Sequence, residues 1–154
     1  MEKNKWFLIT IDDPKFISVA SILDVFTNIS KIIDLKFVVL ERIQGAANSG
    51  LIVTLQHKEN ILMNLDEALM LVQNVESLEW GDFFLFKTVP INWSNPINEL
   101  YPFIIKQTDL TLRIVDNQYF YIYTTNNCIV THFEDNYNLE SVTLDFLDNL
   151  DFPE

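Results

Sequence analysis

Two stretches of this chain are apolar on both faces that a β-strand would present. Within residues 36–43, Phe37 and Val39 point one way and Val38 and Leu40 the other. Within 78–87, Phe84 and Phe86 share one face while Phe83 and Leu85 take the opposite one. Successive strand side chains alternate between faces, so a strand apolar on both sides belongs in the buried interior of a sheet.

Other elements follow around these two. Residues 6–11 read as a first strand. Asp13 and Pro14 form a cap-then-proline start. Phe16, Val19, Ala20, Leu23, Phe26 and Ile29 then recur at three- and four-residue steps, which predicts an amphipathic helix over 14–33. Residues 45–50 contain two of the three glycines and predict a turn, with 51–56 as the returning strand of a hairpin. Asn64 caps a helix running to about Asn74, with Leu65, Leu69 and Val72 on one side and Glu67 at the third helical position. Asn95-Pro96 opens a short helix to about Gln107.

The last third reads as a β-meander: strands at 109–115, 118–124 and 128–133, with turns at Asp116-Asn117 and 125–127. Leu139, Val142, Phe146 and Leu150 then predict a closing helix over 138–148. The expected fold is a single α+β domain spanning 1–154. It has a mainly antiparallel sheet, helices packed on it, and a C-terminal meander followed by a helix.

Composition narrows the function. Of 154 residues, 49% are apolar, which excludes disorder. The lone Cys128 excludes a disulfide scaffold. Ten basic against 22 acidic residues leave a net charge of −12, which opposes nucleic acid. No apolar run approaches the roughly 20 residues of a membrane span. The 6–11 run is too short for a secretory h-region, so the chain is expected to be cytoplasmic, Cys128 a reduced thiol, and the sequons at Asn28 and Asn92 chance matches. The charge is unevenly placed. Residues 1–106 hold 13 acids and nine bases, for −4; residues 107–154 hold nine acids and Arg113 as their one base, for −8.

No catalytic motif stands out. Cys128, His132 and Glu134 would alternate along one strand. At roughly 3.3 Å per residue, Cys128 and His132 lie about 13 Å apart and the three ligands span about 20 Å, too far to share an ion. Cys128 with His57 is conceivable as a nucleophile and base, but no nucleophile elbow is present and Cys128 is expected to be a buried structural residue. The carboxylate pairs Asp12/Asp13 and Asp66/Glu67 read as helix-start residues, Glu134/Asp135 as turn residues. No metal, cofactor or catalytic residue is assigned. Tyr119, Tyr121 and Tyr123 alternate along one strand and so share a face, with Phe120 and Ile122 facing the core. Either helices cover this face, or the rings form an interface, a setting in which tyrosine is enriched. Arg113 is placed to stack on or pair with one of them.

Residues 117–124 (Asn-Gln-Tyr-Phe-Tyr-Ile-Tyr-Thr), then a turn, then 129–133 (Ile-Val-Thr-His-Phe), then an acidic segment ending at 150–154 (Leu-Asp-Phe-Pro-Glu), resemble the C-terminal part of small bacterial immunity proteins. Those proteins neutralise the toxins of contact-dependent or type VI secretion systems. The resemblance spans about 40 residues. It implies a non-catalytic, cytosolic monomer or homodimer whose partner is a cognate basic protein toxin. The face expected to bind it comprises Tyr119, Tyr121, Tyr123, Glu134, Asp135, Asp145, Asp148 and Asp151. A regulatory or small-ligand domain, with a pocket lined by the aromatic strand 80–86, and a carboxylate-dependent enzyme are the other two readings.

Overall fold

The computed structural model describes residues 6–12, 18–45, 49–59, 61–75, 78–89, 108–137 and 141–144. Among the described residues seven strands form one sheet: β1 (Trp6–Asp12), β2 (Phe37–Gln44), β3 (Leu62–Asn64), β4 (Trp80–Phe86), β5 (Leu110–Val115), β6 (Tyr119–Thr124) and β7 (Ser141–Leu144). Their order is β3-β2-β4-β5-β6-β1-β7 and every neighbouring pair is antiparallel. Among the described residues four helices accompany them: α1 (Val19–Ser30), α2 (Ser49–Gln56), α3 (Leu65–Val72) and α4 (Asn127–Tyr137). The class is α+β with helices on an antiparallel sheet, and the β5–β6 strand pair is followed by a helix, as the sequence predicts. The two doubly apolar segments are β2 and β4, both interior strands.

The sheet's two faces have different coverings. On the first, Ile9, Val38, Leu40, Phe83, Leu85, Leu112, Ile114, Phe120 and Ile122 pack against buried residues of all four helices in one core. Phe26 of α1 meets Phe83 edge-on, with ring centroids 5.4 Å apart. On the second face Val39, Phe84, Phe86 and Tyr123 form a separate cluster, with Trp6, Leu8, Phe37, Leu62 and Tyr121 packed against it.

Local signals explain most of the boundaries. Asn64 Oδ1 accepts from the Asp66 N–H at 2.9 Å, capping α3 as expected. Asp116 and Asn117 hold φ of 53° and 54°, the positive values that both central residues of a type I′ turn need and that Asp and Asn tolerate. The Gln118 N–H closes that turn on the Val115 carbonyl at 3.1 Å. α1 starts later than 14: its cap is Ser18, whose hydroxyl accepts from the Ser21 N–H at 3.1 Å. Asp13, Pro14 and the helix expected at 95–107 lie outside the described residues.

Three segments differ from the sequence reading. Residues 51–56, expected as a strand, belong to α2; Ile52 and Leu55 are buried and Val53 and Thr54 exposed, a three-residue spacing that fits a helix on the core. Residues 128–133, expected as the third meander strand, lie inside α4. Asn126, read as part of a turn, is the reason. Its Oδ1 accepts from the N–H groups of both Cys128 (2.8 Å) and Ile129 (3.1 Å), and Ile129, Val130 and Phe133 are buried at helical spacing. The closing helix expected over 138–148 gives way to β7 at 141–144, which extends the sheet by pairing with β1. Among the described residues no helix is long and apolar enough to cross a membrane.

Candidate functional site

The cross-strand registers line up a polar row on the second sheet face. Glu41 stands opposite Asp82, Asp82 opposite Arg113, Arg113 opposite Tyr121, and Tyr121 opposite Thr10. The row crosses five adjacent strands from β2 to β1. Beside it runs a second row: Val39, Phe84, Thr111, Tyr123 and Leu8. At the centre Arg113 Nε donates to Asp82 Oδ1 at 2.9 Å, with both side chains 3% exposed or less. Burying a charge is tolerable only where it is paired and hydrogen-bonded, and this pair meets that condition inside a layer of aromatic and aliphatic side chains.

The flanking groups respond to the burial. Tyr123 is 1% exposed. Burial pushes its hydroxyl pKa up, while the charge and hydrogen bond of neighbouring Arg113 pull the other way. The carboxyl of Glu41 is pushed up to about 7, first by burial and then by the charges of Glu59 and Asp82. Its Oε1 is buried and accepts no hydrogen bond. Next to it β2 bulges: Arg42 takes φ 53°, and the register shifts between Glu41 and Gln44. Glu59 Oε1 accepts from the Ile43 N–H at 2.7 Å, and Gln56 Nε2 donates to the Ile43 carbonyl at 2.9 Å, so the end of α2 clamps the bulge. The Arg42 guanidinium lies 5.6 Å from the Trp80 ring centroid.

The residues expected to form one binding face are divided by the sheet. Tyr119, Tyr121 and Tyr123 do share a face, and it is the one opposite the four helices. Tyr119 and Tyr121 are half-buried, with ring centroids 6.1 Å apart, whereas Tyr123 is buried. Glu134 and Asp135 sit not in a turn but on α4, which packs on the other side of the sheet. Asp145, Asp148 and Asp151 lie outside the described residues. Arg113 pairs with Asp82 and faces Tyr121 across the strands.

The remaining candidates fall on helices. Cys128 and His132 are one turn apart on α4, not along a strand, and Cys128 is exposed rather than buried as expected, because it lies in the first turn of that helix away from the core-facing Ile129, Val130 and Phe133. Among the described residues no three His, Cys, Asp or Glu side chains come together as metal ligands. His132 Nε2 pairs with Asn28 Oδ1 at 2.8 Å. Asn28 Nδ2 donates to the Tyr137 hydroxyl at 3.1 Å, and that hydroxyl donates to Asp24 Oδ2 at 2.7 Å. Burial and this bond to Asp24 raise the Tyr137 pKa. The chain of bonds joins α1 to α4, and Asn28 is buried within it.

Sequence reasoning missed a cavity of about 430 Å³ between α1 and α3, lined by Leu23, Phe26, Leu65 and Leu69 with Asp34 and Asp66 among its walls. No residue of β4 lines it, so it is not the pocket expected along 80–86. The helical stripes of 23–29 and 65–69 were its signal, but only tertiary packing shows that the two stripes fail to close on each other. The arrangement as a whole defines an acidic α+β protein with a charged row on one sheet face and an open groove among its helices. A scan of family models, a search of curated proteins and a search of solved structures each find no match to the chain.

Proposed function

We propose that this chain is a non-catalytic binding protein that captures a basic protein toxin and neutralises it, in the manner of the immunity proteins its C-terminal part resembles. One observation carries the reading. Arg113 is the one base among residues 107–154, and it is fully buried against Asp82. Its charge is spent inside the sheet, so residues 107–154 bring no surface Lys or Arg to balance their nine acids, of which Asp116 and Asp135 are exposed. Such a surface steers a basic partner, raising the association rate by about 10- to 1,000-fold at low salt. The half-buried Tyr119 and Tyr121 are one surface with amphipathic contact area of the kind that concentrates binding energy. The role places the protein in the cytoplasm.

The test is co-expression with each protein encoded beside its gene. The expected result is that this chain rescues growth from one toxic neighbour, and that the purified pair associates more slowly as salt rises. If no neighbour's toxicity is relieved, the reading fails.

A further inference from the structure

The cavity between α1 and α3 has the dimensions and the charge of a seat for part of another protein. At about 430 Å³ it falls within the roughly 300–1,000 Å³ typical of binding pockets, far more than one aliphatic side chain fills. Leu23, Phe26, Leu65 and Leu69 make its walls apolar, and exposed Thr27 stands at its edge. Two carboxylates join this apolar lining. Asp34 has 86% of its side chain exposed, and Asp66 is exposed in the first turn of α3 beside Glu67. The last turn of α1 supplies Thr27, Ile29 and Ser30 to the lining, and exposed Lys31 caps that helix beside them, so the negative end of α1 is offset and the carboxylates set the sign of the field. Lys36 approaches Asp34 at 3.7 Å, but it too is mostly exposed, and a surface pair of this kind holds its partners weakly.

We propose that this groove is the docking site for a basic amphipathic helix of the protein partner. Apolar residues on one face of that helix would fill the cavity, and Lys or Arg flanking them would meet Asp34 and Asp66. This is the helix-in-groove mode of recognition, and the sign of its charge follows from Asp34, Asp66 and Glu67, which outnumber Lys31 and Lys36 around the cavity, and from the net −12 of the chain. The proposal rests on the partner-binding reading and names where that partner sits, away from the tyrosine face.

The experiment is a titration of the ¹⁵N-labelled full-length chain with a synthetic amphipathic helix of Leu and Lys. The controls are the same residues in scrambled order and a Leu/Glu counterpart. The expected result is shifted amide signals at Leu23, Thr27 and Leu69, with affinity lost by about tenfold when salt rises from 0.05 to 0.5 M. Thr27→Arg, at an exposed helical position, should weaken binding by about tenfold by occluding the groove and adding a like charge. Asp66→Lys, also exposed, serves as a second variant should the first disturb folding. Shifts confined to Tyr119 and Tyr121, or full affinity in both variants, would overturn the groove while leaving the partner-binding reading intact. Equal binding of the Leu/Glu peptide would overturn the basic partner. Absence of binding by every peptide would also overturn the groove, and growth rescue in the co-expression assay would then still decide the broader reading.

Discussion

At the scale of the residue, the Arg113–Asp82 pair and Glu41 are the positions where small changes should have the largest effects. A buried ion pair is costly to break on one side, because the surviving charge stays in a poor solvent. Asp82→Ala should therefore destabilise the fold by about 3–5 kcal/mol, read as a fall in the urea midpoint. Replacing both partners with apolar residues of similar volume should recover most of that loss. Glu41 behaves differently. Its carboxyl titrates near 4.5 when unfolded and at about 7 when folded. Between those values the native chain holds a proton that the unfolded chain has released, so this group's effect is to lower stability as pH rises from about 4.5 to about 7. Below that window the penalty vanishes, and above it the full penalty applies. Because Glu41 is partly open to solvent, screening limits the effect to about 1 kcal/mol. Glu41→Gln should flatten this slope and raise the urea midpoint at pH 8 while leaving it nearly unchanged at pH 4. An unaltered pH profile in that variant would show that the burial and the neighbouring carboxylates do not act on Glu41 as inferred.

At the scale of the element, caps decided more than strand propensity did. α4 contains Ile129, Val130 and Thr131, residues that favour strands, yet it is a helix because Asn126 satisfies two of its free N–H groups and because three apolar residues meet the core at helical spacing. Asn126→Ala should cost about 1 kcal/mol, and amide exchange should quicken first at Cys128 and Ile129. α2 makes the same point: the run Leu-Ile-Val-Thr-Leu looks like a strand until burial of Ile52 and Leu55 selects the helix. The Asp116-Asn117 turn and the Asn64 cap were legible because each is a local bond or dihedral within four residues. The termination of α1 by Lys31, and the start at Ser18 in place of Asp13, were less so, since several polar residues compete to cap the same helix.

At the scale of the whole molecule, the sheet separates what the sequence seemed to unite. Tyr119, Tyr121 and Tyr123 lie on one face, and Glu134 and Asp135 on a helix packed against the other. A partner engaging the helix side would leave the tyrosines untouched. Tyr121→Ala should then change affinity for the captured toxin by less than about threefold if docking is at the α1–α3 groove, and by tenfold or more if the tyrosine face is a hot spot. A binding assay with the rescued partner separates the two. The overall charge acts at longer range than either surface, so reducing net charge at exposed acids such as Asp116 should slow association more than it speeds dissociation.

Alternation along β2, β4 and β6 was decided by the sequence alone, because a strand's side chains change face at every residue wherever the strand is placed. The interior position of β2 and β4 follows from the same rule, as does the uneven charge, which is a matter of counting. The row Glu41–Asp82–Arg113–Tyr121 could not be read that way. It depends on the register between strands separated by as many as 41 residues in the chain, and a slip of one position would turn each of these side chains to the opposite face. The groove depends likewise on how two helices, each ordinary by itself, come to rest on one sheet. Contacts between distant segments are settled by packing, and packing exists only once the chain has folded.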